Sequence, residues 1–214
     1  AIRARGLYAD EGLPDSVEAM ATEYVTAIRA LQPQGPYAIG GWSLGGVIAF
    51  EVAQQLVQAG ERVDVVFMLD SAIPENNFAE EARDGLRAGA EYGIPLTLEE
   101  LSRLDEAQQL PFLWQHARQL GLLAADADEE LAQRVIQDLK QLFAQHVELC
   151  SRYRLQSYPG RVVLIRPLDL PIAIPGPEDR GWDRYATEVE TYRTPGQHHS
   201  MVQSPHVQSL AAII

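Results

Sequence analysis

Two kinds of hydrophobic patterning divide this chain. From residue 14 to residue 72, helical stripes alternate with short, nearly continuous apolar runs. The first stripe is Val17, Met20, Tyr24, Ile28 and Leu31, at the spacing of one helix face. Asp15-x-x-Glu18 opens it in the manner of a capping box, and Gln32-Pro33-Gln34-Gly35-Pro36 closes it. Tyr37–Gly41 is an apolar run that predicts a strand. A second helix follows, burying Ala49, Val52, Ala53 and Leu56 and stopped by Gly60. Val63–Leu69 is apolar at nearly every position and rich in β-branched residues, as a strand buried on both faces would be. Strand, helix and strand at this spacing predict a βαβ unit with parallel strands.

From about Ile73 to Ser157 only the helical period remains. The pattern predicts helices over 80–92, after Thr97-x-x-Glu100, and from Asp105 to about Gly121 with a break at Pro111. A long helix then follows Asp126-x-x-Glu129, with the stripe Leu131, Val135, Leu139, Leu142, His146, Leu149 and Tyr153. An all-helical block between two strands of a sheet reads as a lid inserted over a site. The sheet resumes at Arg161–Arg166, and Glu188–Thr194 predicts the last strand. Ser204-Pro205 predicts the cap and first turn of a final helix. Residues 1–5 read as the tail of a strand. The sequence thus predicts one α/β domain, with core 1–72 and 158–214 and a helical insertion of about 73–157.

Composition narrows the choice of partners. A net charge of −13 argues against nucleic acid and anionic membranes. No apolar run approaches the ~20 residues of a membrane span, and no signal-peptide core is evident. The single cysteine, Cys150, precludes an internal disulfide framework, so a reducing cytoplasm is the expected compartment. Cys150 itself reads as a small core residue. No His/Cys/Asp/Glu cluster has metal-ligand spacing, and Gly40-Gly41 lacks the frame of a dinucleotide fingerprint, so neither a metal nor a bound cofactor is expected.

The candidate chemistry sits between the first strand and the second helix. Gly41-Trp42-Ser43-Leu44-Gly45 has the form of a nucleophile elbow, which exposes a serine hydroxyl on a tight strand-to-helix turn. The turn predicts that the residues two before and two after the serine can carry no bulk. The helix N-terminus behind it favours an oxyanion. A serine needs a base, and the base needs an orienting carboxylate, in the chain order Ser, Asp, His. Asp70 ends the apolar strand beside the elbow strand, where an aspartate is otherwise a poor choice. Asp169, after the next strand, is the alternative acid, with a solvated loop charge as its ordinary reading. His198 and His199 compete for the base, and spacing does not separate them. His116 and His146 fall on the helical block, and His206 falls in the first turn of the last helix.

These residues resemble the type I thioesterase domains that end nonribosomal peptide synthetases and modular polyketide synthases. The resemblance rests on Gly40-Gly41-Trp42-Ser43-Leu44-Gly45-Gly46 with Ala49-Phe50-Glu51, on Gly60-Glu61-x-Val63, on Leu69-Asp70-Ser71, and on Gly196-x-His198-x-Ser200-Met201 with Pro205-His206-Val207. It implies an α/β-hydrolase fold. In its register Ser43 is the nucleophile, Asp70 the acid and His198 the base, with the N–H of Leu44 in the oxyanion hole. Gln197 and His199 depart from the aspartate and aromatic residue usual beside that histidine. Trp42 and His199 are candidate substrate contacts. The resemblance further implies an acyl or peptidyl chain delivered on the 4′-phosphopantetheine of an upstream carrier protein, then released by hydrolysis or macrocyclisation. Arg152, Arg154 and Arg161 could meet an acidic carrier, with solvated surface charges as their ordinary reading.

One family feature lies ahead of residue 1: a strand and glycine-rich loop supplying the second oxyanion donor, whose loss costs on the order of a hundredfold in rate. The expectation is that the chain taken by itself leaves an unpaired edge along Tyr37–Gly41, and that an N-terminal part precedes it in the whole protein. Two other functions compete: a free-standing esterase or lipase of the same fold, and a non-catalytic carrier-docking fragment.

Overall fold

The computed structural model describes residues 14–74, 128–169 and 176–214, with isolated positions at 2, 12 and between 104 and 118. The chain divides into two compact units, Ala1–Phe78 with His146–Ile214, and Ala79–Gln145. In the first, α1 spans Val17–Leu31, β1 Tyr37–Trp42, α2 Leu44–Gln58 and β2 Val63–Leu69. A long helix, α3, runs over Glu129–Arg152 and so belongs to both units. After it come β3 (Tyr158–Pro167), a 3-10 turn at Trp182–Arg184, β4 (Ala186–Thr194), a second 3-10 turn at Ser200–Val202 and a short α4 (Val207–Ala211).

The four strands form one sheet in the order β1-β2-β3-β4, and every pair is parallel. Parallel strands place all their carboxyl ends on one rim, where sites of open α/β sheets form. Residues alternate between two faces. Val66, Met68, Val162 and Leu164 pack with α1 and α2 on one side. Val65, Val163 and Ile165 meet Met201 and Leu210 on the other. At the heart of the larger cluster the Phe50 ring lies 5.1 Å from Trp182 and 5.3 Å from Tyr158. α2 is buried almost all round, Glu51 and Gln54 included. The charge of Glu51 is met by the Tyr153 hydroxyl, which donates to Oε2 at 2.5 Å. Cys150 is a buried core residue as expected, and burial pushes its thiol up to about 12. No helix among the described residues is long and apolar enough to cross a membrane.

Several boundaries differ from expectation. Ser16, not Asp15, caps α1: its hydroxyl accepts from the Ala19 N–H at 3.1 Å. Leu31, the last member of the predicted stripe and the last residue of α1, is 90% exposed. β3 reaches back through Pro159-Gly160 to Tyr158, accommodated by an irregular register between Tyr158 and Arg161. α4 begins at Val207 with His206 at its cap, and Ser204-Pro205 lie in the preceding turn. His146 is buried, and burial pushes its imidazole down. Among the described residues β1 is an edge of the sheet. The pairing of residues 1–5 lies outside the described residues, as do the predicted helix over 80–92, His116 and the 97–100 cap. Asp105 does open a turn with a reciprocal pair of bonds. It accepts from the Gln108 N–H at 2.9 Å, while Gln108 Oε1 accepts from the Asp105 N–H at 3.1 Å.

Candidate active site

The turn at Ser43 is made by crowding. Ser43 holds φ 56° and ψ −128°, a region side chains rarely adopt. Its N–H donates to Leu69 O at 2.8 Å, and its carbonyl accepts from Ser71 Oγ at 2.6 Å and from the Gly46 N–H at 3.0 Å. The strained residue is thus fixed from β2, from Ser71 just past it, and from α2 at once. A Cβ on Gly41 would collide with the carbonyl of Gly45, so the glycine two before the serine is required. The glycine two after it is not: a Cβ on Gly45 would meet nothing within 4 Å. The crowded partner is Gly46, whose Cβ would run into Ser71, 2.6 Å from its Cβ. Ser43 occupies the cap position of α2 without its side chain capping the helix. Leu44 is the first residue of α2, among the helix N–H groups that lack an intrahelical partner.

Asp70 follows β2 directly and also has left-handed backbone, φ 48°. Its N–H donates to Ile165 O at 2.8 Å, which carries the carboxylate onto the rim of the sheet. Asp70 Oδ2 and His198 Nδ1 are 2.7 Å apart, joining residues 128 positions distant in the chain. The Asp70 side chain is 5% exposed. Burial alone pushes its carboxyl up. The His198 hydrogen bond and the Arg180 charge outweigh that and hold it below the ordinary carboxylate value.

His198 is placed by its loop. Gly196 turns the chain at φ 98°. The Gln197 N–H donates to Ser200 Oγ at 2.8 Å and the Met201 N–H to Gln197 O at 2.9 Å, with Met201 fully buried. Trp42 braces the histidine twice. Its indole N–H donates to His198 O at 3.0 Å, and the two rings stack with centroids 4.9 Å apart. His199 stands edge-on to Trp42 at 5.3 Å and to His198 at 5.0 Å.

The alternatives fall elsewhere. Asp169 is neither at the histidine ring nor merely solvated: its Oδ2 accepts from the Gly196 N–H at 3.0 Å, and its N–H donates to Gly196 O at 3.0 Å. It latches the loop after β3 to the loop that carries His198. His206 packs under Gly196, half-buried. Sequence reasoning missed Arg180. Its Nη2 lies 2.8 Å from Asp70 Oδ1, off the line of a hydrogen bond, so the contact is a charge pair. Nothing in the local sequence around Arg180 marks a buried cation. Among the described residues no group of His, Cys, Asp and Glu could hold a metal ion.

A strained serine at a strand-helix turn and a buried carboxylate on an imidazole, all at one sheet rim, suit nucleophilic acyl chemistry. A family model described as Thioesterase domain matches residues 1–214.

This chain belongs to the thioesterase-domain family.

Its curated relatives include synthases far longer than itself. It is 30% identical over its whole length to a dimodular nonribosomal peptide synthase of Bacillus subtilis (strain 168), of which it spans 9%. It is also 30% identical over its whole length to microperfuranone synthase of Emericella nidulans, of which it spans 24%. A four-domain nonribosomal peptide synthetase superposes with a TM-score of 0.74 at 28% identity, covering all of this chain and 17% of that one. The NocB thioesterase domain, in covalent complex with a fluorophosphonate nocardicin G analogue, gives a TM-score of 0.64 at 25% identity, covering 97% and 76%. The parallel sheet flanked by helices is that of the α/β-hydrolase thioesterase domains.

Proposed function

We propose that this domain releases an acyl or peptidyl chain from the 4′-phosphopantetheine thioester of a carrier protein through an ester on Ser43. The observation that carries the reading is the buried Asp70 carboxylate on His198 Nδ1. A carboxylate there fixes the tautomer that leaves Nε2 unprotonated and able to act as base. Ser43 Oγ attacks the thioester carbonyl as its proton passes to His198. The oxyanion is met by the Leu44 N–H at the start of α2. Collapse breaks the C–S bond, and the departing thiol takes the proton from His198. Water, or an amine or hydroxyl of the chain itself, then gives a proton to His198 and attacks the ester. The C–O bond breaks and Ser43 regains its proton.

The multidomain relatives support an upstream carrier as partner. Covalent capture of the NocB domain by a fluorophosphonate supports a serine nucleophile here too. Trp42 and His199 are the side chains that an acyl group approaching His198 would meet. The stretch 73–157 is the candidate lid over the acyl chamber, and the cytoplasm suits the lone, buried Cys150.

An acyl thioester of N-acetylcysteamine, which copies the end of the phosphopantetheine arm, tests this. The expected result is thiol release with a transient acyl adduct on Ser43 by mass spectrometry, both lost in Ser43→Ala. Equal release by Ser43→Ala would overturn the proposal.

A further inference from the structure

The chemistry above uses one oxygen of Asp70. The other faces Arg180, with Nη2 2.8 Å from Oδ1 and the two side chains 6% and 5% exposed. The arrangement is made against resistance. Arg180 has left-handed backbone at φ 51°, followed by Gly181 at φ 85°, where a Cβ would press on Ile73 at 2.9 Å. The next residue anchors the loop: Trp182 Nε1 donates to Ser71 O at 3.0 Å, and Ser71 Oγ holds the carbonyl of Ser43. Trp182, fully buried, already fixes this loop. A strained backbone that also drives a cation into the interior asks for a role beyond fixing it.

We infer that Arg180 is a positioning residue for acyl transfer: its guanidinium, on Oδ1, holds the Asp70 carboxylate with Oδ2 turned towards His198. The inference rests on the triad reading proposed above. Asp70 is faced by His198 from the loop after β4, by Arg180 from the loop after β3, and by Arg166 from β3 itself. Arg166 and Arg193 are both engaged with Glu178, whose Oε2 lies 3.3 Å and 2.7 Å from them. Arg180 is thus the cation in direct contact with the acid. Removing it makes proton uptake by the Asp70–His198 pair easier, whichever of the two takes the proton.

The rate at which a fluorophosphonate labels Ser43, followed from pH 4 to pH 9, reads this without knowledge of the substrate. Arg180→Met is expected to label about tenfold more slowly at pH 7, with the midpoint of the acid limb moved to higher pH by on the order of one unit. Arg180→Gln should behave alike, and it carries the test if Arg180→Met does not fold by circular dichroism. Arg180→Lys should restore most of the wild-type profile. A rate that falls equally at every pH with an unmoved midpoint, or a lysine variant no better than methionine, would reduce Arg180 to a structural prop and overturn the inference. Wild-type protein that never labels would sink the triad reading instead, so the two failures are distinguishable.

Discussion

The serine turn and the carboxylate beside it are one hydrogen bond apart, through the Ser43 N–H and Leu69 O, yet they are built differently. The turn is set mostly by steric contact: Gly41 is crowded by Gly45, four residues on, and Gly46 by Ser71, just past the neighbouring strand. The acid is assembled from afar. Asp70 gains its partners from two loops, through His198 and Arg180, and what fixes it is charge in a buried place. Steric constraint is written as residue identity at fixed spacing. Electrostatic constraint is written across the chain, in positions that only the fold brings together.

Breaking the charge side should have the largest effect on activity. Asp70→Asn keeps the shape but removes the anion that selects the His198 tautomer, and turnover should fall on the order of a thousandfold or more. The same substitution reads out in stability. Asp70 is held below its ordinary value in the folded state. Its stabilisation is therefore complete above about pH 4, the unfolded value, and is lost as pH falls through the lower folded value. Urea midpoints of wild type and Asp70→Asn should differ at pH 6 and converge in acid. A gap that widened in acid would contradict the direction of the shift.

Breaking the steric side should cost stability selectively. Gly46→Ala forces a Cβ into Ser71 and should lose about 1–3 kcal/mol in denaturant unfolding. Gly45→Ala meets open space and should stay within about 1 kcal/mol of wild type. Equal losses would show that the elbow needs both glycines for the turn itself.

The smallest effect concerns the latch between loops. Asp169→Ala removes the acceptor of the Gly196 N–H, a loss of about 1 kcal/mol. Acyl transfer should slow severalfold with an unchanged pH profile, in contrast to Arg180→Met. A shifted profile would place Asp169 electrostatically on the histidine.

Much of this frame was legible. Val63–Leu69 matches its predicted strand residue for residue, because a nearly continuous apolar run rich in valine, too short for a helix, has few other uses. Gly60 at φ 81° ends its helix as expected. The pairing of Asp70 with His198 was legible through chain order and strand ends, and the family register separated His198 from His199. Other features were hidden by local signals. The apolar run begins at Arg161, yet β3 starts at Tyr158 and runs through Pro159-Gly160 with an irregular register to its neighbour. Ser204-Pro205 reads as a helix start, yet α4 begins at Val207. Asp169 and Arg180 carried no local sign of their partners, since charged loop residues are ordinarily solvated.

The most direct measurement is peptide mapping after fluorophosphonate treatment of wild type, His198→Ala and His199→Ala. The predicted result is an adduct on Ser43 in wild type and in His199→Ala, and none in His198→Ala. An adduct on another residue, or one that survives in His198→Ala and disappears in His199→Ala, would contradict the assignment of Ser43, Asp70 and His198 as one acyl-transfer centre.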